Sequence, residues 1–158
     1  AIGNYSASLY PLMRAKKEGF DEVIYLDSKN EDRIEELGSA NLFIVTDGVI
    51  RTPKLSGSIL DGVTRNSVCR IASELLKYRV EETNISIKDL IEANEVFCTG
   101  TAVVVTPIGK ITYNDTTYEI NQNQLGPVAS ECKELLTAIQ RQEINDPFGW
   151  IEPVVNSN

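Results

Sequence analysis

Two β-rich runs, Asn41-Leu-Phe-Ile-Val-Thr46 and Val49-Ile-Arg-Thr-Pro53, are separated only by Asp47-Gly48. A two-residue connection of that composition supports left-handed backbone angles at both positions, so the runs are expected to fold back on each other as an antiparallel hairpin. No helix fits between them, and the hairpin needs partners to cover its apolar faces. Around it, strands and helices mix without strict βαβ alternation. The expected fold class is therefore α/β of the mixed α+β kind: a central mixed or antiparallel sheet, or a pseudo-barrel, wrapped by helices.

The other elements follow from periodicity. Tyr5 to Gly19 carries Leu9, Leu12 and Met13 at helical spacing, with Pro11 in its first turns. Glu22 to Asp27 reads as a short strand, followed by the turn Ser28 to Asp32. Val63 to Lys77 places Val68, Ile71, Ala72, Leu75 and Leu76 on one helical face, after Gly62. Tyr78 to Ile85 alternates like a strand, and Ser86 to Asp89 has capping-box spacing ahead of a short helix at Leu90 to Ala93. Glu95 to Thr106, Lys110 to Tyr113 and Thr117 to Ile120 read as strands. Gly126-Pro127 opens a long helix to about Ile144 with an apolar stripe, and Asp146 to Ile151 returns to extended structure. No repeat or linker divides the chain, so residues 1–158 read as a single domain or a piece of one.

Composition removes whole classes of function. The 158 residues are 42% hydrophobic, enough for a core, and 15 basic against 23 acidic residues give a net charge of -8 without a basic stripe. Nucleic acid is not an expected partner, and no apolar run approaches the roughly 18 residues that span a bilayer, so neither is a membrane. There is no histidine, which excludes imidazole bases, triads and His metal ligands. Cys69, Cys98 and Cys132 are odd in number and widely spaced, so neither a disulfide framework nor a metal site is expected; a reducing compartment, the cytoplasm or an organelle, is.

Three segments carry chemistry. In Glu95-Val-Phe-Cys-Thr-Gly-Thr-Ala-Val-Val-Val-Thr-Pro107, a strand runs into a turn whose small residues leave N–H groups free for an anion. In Ser56-Gly-Ser-Ile-Leu-Asp-Gly-Val-Thr-Arg65, Gly62 precedes a helix whose first N–H groups can hold a phosphate. In Glu36-Leu-Gly-Ser-Ala-Asn41, a carboxylate sits in an apolar stretch just before a strand. Each alone also fits an ordinary strand end, a helix cap or a solvated surface acid.

Together with Gly3-Asn-Tyr5, these segments resemble the cofactor-binding half of fold-type IV pyridoxal 5′-phosphate enzymes, most nearly the branched-chain amino acid aminotransferases. The C-terminal Leu136 to Gln140 and Asp146-Pro-Phe-Gly-Trp150 extend the resemblance over essentially all of the chain. It implies that Glu36 pairs with the protonated pyridine nitrogen, that Tyr5 donates to the phenolic oxygen, and that Leu60 packs on the ring. It also implies phosphate donors from Val63, Thr64 and Thr101, and a substrate carboxylate facing Thr101 and Ala102. The family's Schiff-base lysine would stand immediately before Ala1, so no catalytic residue is expected within the chain and residues 1–158 alone are expected to be inactive. Lys16, Lys17, Lys29, Lys54, Lys77, Lys88, Lys110 and Lys133 match no such context. Some animal members carry a redox CxxC where this chain has Val103 and Thr106, so thiol control of that kind is not expected.

The resemblance further implies an N-terminal small domain, a homodimer, and transfer of the amino group of Leu, Ile or Val to 2-oxoglutarate. Two alternatives stay open on sequence. One is another activity of the same fold type, D-amino acid transamination or aminodeoxychorismate lyase-like chemistry. The other is a non-catalytic binding domain that keeps the fold without the amine.

Overall fold

The Asp47-Gly48 connection forms as its composition requires, with φ of 51° and 76°, and it joins β3 (Asn41–Thr46) to β4 (Val49–Pro53) in antiparallel register. The computed structural model describes residues 2–152, and side chains over 9–152. The hairpin lies at the centre of a five-stranded sheet with two further strands on one side, β6 (Glu95–Gly100) and β7 (Val104–Pro107), and β5 (Arg79–Thr83) on the other. Only the β4–β5 pair is parallel; the other three pairs are antiparallel. The expected mixed sheet is thus what forms, because the β4-to-β5 connection is long enough to hold a helix while the others are turns or antiparallel returns.

β3 is buried on both faces, and its period of two divides the interior into two cores. Phe43 and Val45 face α2 (Val63–Arg70) and α4 (Pro127–Gln140), where Val68, Ala129, Cys132 and Leu136 complete the packing. Phe43 stacks on its cross-strand partner Phe97 with ring centroids 5.0 Å apart. Leu42 and Ile44 face the opposite way, onto β2 (Ile34–Leu37), α3 (Ile87–Ile91) and Ile111 of β8 (Lys110–Tyr113). β2 pairs with β1 (Ile24–Leu26), and β8 with β9 (Thr116–Glu119), as separate two-stranded ribbons. No helix among the described residues is long and apolar enough to cross a membrane.

Several boundaries differ from expectation for identifiable reasons. The expected strand Glu95 to Thr106 is two strands, β6 and β7, because Thr101, Ala102 and Val103 turn the chain back on itself. The helix from Val63 is α-helical only to Arg70; a π turn at Ile71–Leu75 follows, with Leu76 N–H bonded to Ile71 O at 3.0 Å. That wider turn keeps Ile71 and Ala72 buried while redirecting the chain toward β5. α3 begins at Ile87 rather than Leu90, since Ser86 and Asp89 form a reciprocal capping box that makes Ser86 the N-cap. α4 stops at Gln140 rather than near Ile144. There Gln142 takes φ of 58°, and the N–H groups of Gln142 and Glu143 close on the carbonyls of Ile139 and Ala138. The tail is a compact turn instead of an extended segment: Asp146 accepts from the N–H groups of Phe148 and Ile151, and Phe148 stacks on Trp150 beneath Arg70.

No sequence pattern marks β2 as a strand. The helix predicted over Tyr5 to Gly19 appears as α1 (Ile2–Lys17), which continues through Pro11 and leaves Leu9, Tyr10 and Met13 exposed.

Candidate functional site

The sheet register brings the three chemistry-bearing segments to one end of the molecule. Asn41, the first residue of β3, is paired with Thr99 on β6, so the turn entering β3 and the turn leaving β6 lie side by side. At the first of these, Leu37 N–H bonds Ala40 O at 3.0 Å, and Ser39 donates to Glu22, whose other carboxylate oxygen lies against Gly38. At the second, Gly100 approaches so closely that a Cβ there would stand 3.3 Å from Ser39 O. The exposed Thr101 and Ala102 follow, and the turn closes on Val104 with φ of 53°, a strained angle for a β-branched residue. Thr99 is fully buried beneath the turn, and its hydroxyl has no hydrogen-bond partner.

Glu36 sits on β2 beside this pair of turns. Its Oε2 accepts from Leu60 N–H at 3.2 Å and from the Asn41 side-chain amide at 3.3 Å. The same Asn41 amide donates to Leu60 O at 2.8 Å, so Glu36, Asn41 and Leu60 form a closed triangle. Desolvation raises the Glu36 carboxyl above the ordinary value; the Leu60 N–H opposes that shift and neighbouring Glu35 adds to it. A half-buried carboxylate held by one oxygen, with no cation bonded to it among the described residues, is prepared to receive a protonated partner.

Leu60 leads into Gly62, the N-cap of α2, at which no side chain caps the helix. The first-turn N–H groups, including those of Val63 and Thr64, therefore remain available to an anion. Gly62 is required here by space: a Cβ would fall 2.2 Å from Asn41 Oδ1. Leu60 and Val63 are 67% and 82% exposed, two apolar side chains left open beside the carboxylate and the helix terminus. A cavity of about 1090 Å³ runs from α1 to the two turns, where Ser39, Ala40 and Val103 line it.

The sequence matches the family model of class IV amino-transferases over residues 2–111. The chain belongs to that family. Among curated proteins, this class IV chain is 42% identical over 149 residues to branched-chain-amino-acid aminotransferase 5, chloroplastic, of Arabidopsis thaliana, covering 94% of this chain and 36% of the relative. It is 41% identical over 154 residues to a probable branched-chain-amino-acid aminotransferase of Staphylococcus epidermidis, covering 94% of this chain and 43% of the relative. Among solved structures, a branched-chain amino acid aminotransferase from Escherichia coli superposes with a TM-score of 0.86 at 33% identity, over 96% of this chain and 48% of that one. Another, from Thermobaculum terrenum in its PLP-bound holo form, gives 0.79 at 27% identity, over 88% of this chain and 43% of that one. The class IV chain thus spans less than half the length of these relatives.

Of the residues singled out in the sequence, Glu36 and Leu60 are directly bonded, Val63 and Thr64 follow in the first turn of α2, and Thr101 and Ala102 face the same end through the Gly100–Ser39 approach. The Tyr5 side chain lies outside the described ones. Asn41 and Glu22 join the site without any sequence signal. Both are polar residues near a strand end, and their roles depend on partners 19 and 17 residues away, respectively, which no local pattern reveals.

Cys98 is a core residue. Burial pushes the thiols of Cys98 and Cys69 up to about 11, and that of Cys132 up to about 12. In the native protein at pH 8, a disulfide reagent is expected to modify Cys98 and Cys132 only after denaturation, with the partly exposed Cys69 the first to react. Rapid native labelling of Cys98, read by peptide mass, would reverse this assignment.

Proposed function

We propose that this chain is the cofactor-binding portion of an aminotransferase that moves the amino group of branched-chain L-amino acids (Leu, Ile, Val) to 2-oxoglutarate with pyridoxal 5′-phosphate. Its relatives of 41–42% identity are named branched-chain-amino-acid aminotransferases. Solved neighbours hold pyridoxamine 5′-phosphate and N-(5′-phosphopyridoxyl)-L-glutamate. The observation that carries the reading is the Glu36 carboxylate, anchored by one oxygen and flanked by an uncapped helix terminus and a small-residue turn.

The residues present fit the cofactor on their own chemistry. Pyridoxal phosphate, when bound, supplies the electron sink through which an amino group passes between a 2-amino and a 2-oxo acid. Glu36 would hold the ring nitrogen protonated; a carboxylate and a cation about 4 Å apart attract by roughly 4 kcal/mol at an effective dielectric near 20. Leu60 would cover one face of the ring and exclude water from it. Val63 and Thr64 would bind the phosphate through the α2 terminus, and Thr101 from the opposite turn, so that donors converge from separate segments. Thr101 and Ala102 would orient the substrate carboxylate, and Tyr5 the phenolic oxygen.

The same proposal treats residues 1–158 as one unit of a larger homodimeric enzyme in a reducing compartment, whose lysine stands directly before Ala1. Borohydride treatment of the intact holoprotein followed by peptide mapping tests it. A pyridoxyl group is expected on a lysine immediately preceding Ala1; cofactor-free protein, or an adduct on any lysine within this chain, would overturn the reading.

A further inference from the structure

Asn41 lies where the Glu36 strand, the loop leading to α2 and β6 meet. Its amide nitrogen reaches both Glu36 Oε2 and Leu60 O, at 3.3 and 2.8 Å. Its amide oxygen fills the space beside Gly62, the α2 N-cap, so tightly that no Cβ fits there. Its backbone pairs with Thr99, two residues before Thr101. It is 6% exposed, so these contacts are shielded from water.

Resting on the function proposed above, we propose that Asn41 is a positioning residue for Glu36. The amide nitrogen and Leu60 N–H converge on Oε2 of Glu36, which directs Oε1 alone toward an incoming ring nitrogen. An unanchored carboxylate of this kind samples several rotamers, and a buried one relaxes toward its protonated form. Asn41 counters the first by holding the side chain, together with Leu60 N–H, in one orientation. The bond to Leu60 O holds the residue whose N–H completes the anchor on Glu36, while the first-turn N–H groups of α2 are set by the helix itself. Asn41 itself need not touch the cofactor.

The test is a double-mutant cycle on the intact, cofactor-free protein, with pyridoxamine 5′-phosphate as the fluorescent probe. N41A is expected to weaken the probe about tenfold, as the loss of one well-placed charged hydrogen bond would. E36Q is expected to weaken it by at least as much. If Asn41 acts through Glu36, N41A/E36Q will bind within about twofold of E36Q alone. Affinity for inorganic phosphate, which has no ring, will stay within about twofold of wild type in N41A, also showing that the variant is folded. N41S, a smaller change that still excludes the amide donor, repeats the measurement if N41A does not fold. Additive losses in the cycle, or a parallel loss of phosphate affinity, would mean that Asn41 only supports the backbone and would overturn the proposal. Failure of wild type to bind pyridoxamine 5′-phosphate would instead overturn the cofactor reading itself.

Discussion

Replacing Glu36 with glutamine in the intact protein is expected, under the function proposed above, to lower turnover with branched-chain amino acids by roughly 100- to 1000-fold, the largest functional effect expected of any single change in this chain. The amide keeps the shape and can still meet Leu60 N–H and Asn41, so the fold has no reason to rearrange. Under the proposed function, what is lost is the negative charge that would keep a ring nitrogen protonated, and with it roughly 3 to 4 kcal/mol of attraction that would matter most when electron density moves into the ring. Stability should respond in the opposite direction. In the cofactor-free protein, burial raises the Glu36 carboxyl above 4.5, so the stability contributed by this group is present below that pH and lost as pH rises through the folded value. Glutamine removes that cost, and cofactor-free E36Q is expected to melt no lower than wild type at pH 7, and slightly higher. Steady-state transamination and thermal melts read the two effects. Activity within tenfold of wild type would remove Glu36 from the chemistry, and a marked fall in melting temperature would make it a structural residue.

The fold is legible in the sequence where a local signal carries the geometry. Asp47-Gly48 specifies the hairpin because both residues tolerate the left-handed angles they adopt, and Ser86 with Asp89 specifies its helix start because the cap bonds lie within one turn. β2 is illegible because Ile34-Glu-Glu-Leu37 buries its two ends and places two adjacent acids between them, which is neither strand nor helix periodicity. The turn at Thr101 to Val103 reads in the sequence as an anion-binding shape but not as the reversal between two strands, since Val103 and Val104 look like uninterrupted strand formers. The candidate site follows the same division. Glu36 is reached through resemblance to a family. Asn41 reads only as the start of a strand, because its bonds to Glu36 and Leu60 exist only after β2 and the α2 loop have come together.

Glu95 is the clearest case of a residue whose sequence context misleads, and its removal carries the largest expected loss of stability. In the sequence Glu95 is only the first residue of a strand, yet it is 6% exposed and accepts from the N–H groups of Val128 and Ala129 at 3.1 and 3.0 Å. It is the cap that α4 lacks locally: Gly126 offers no side chain, and it must be glycine, since a Cβ would fall 2.0 Å from the Glu95 carboxyl carbon. E95A leaves two buried donors without an acceptor and strips a negative charge from the positive end of a 14-residue helix, for an expected cost of about 3 kcal/mol. E95Q keeps one acceptor oxygen but sets its amide N–H2 against the second donor, and should lose roughly half of that. Thermal melts of the cofactor-free protein are expected to fall by roughly 6 to 12 °C for E95A and by about half as much for E95Q. Equal shifts for both variants would assign the effect to the charge rather than to the two bonds, and no shift would mean that water replaces the cap. Glu95 is also the first residue of β6, six positions ahead of Thr101, so the bonds that seat α4 also anchor the strand that presents the turn. E95A is therefore expected to weaken inorganic phosphate binding at the site as well as the fold, whereas E36Q leaves phosphate binding intact.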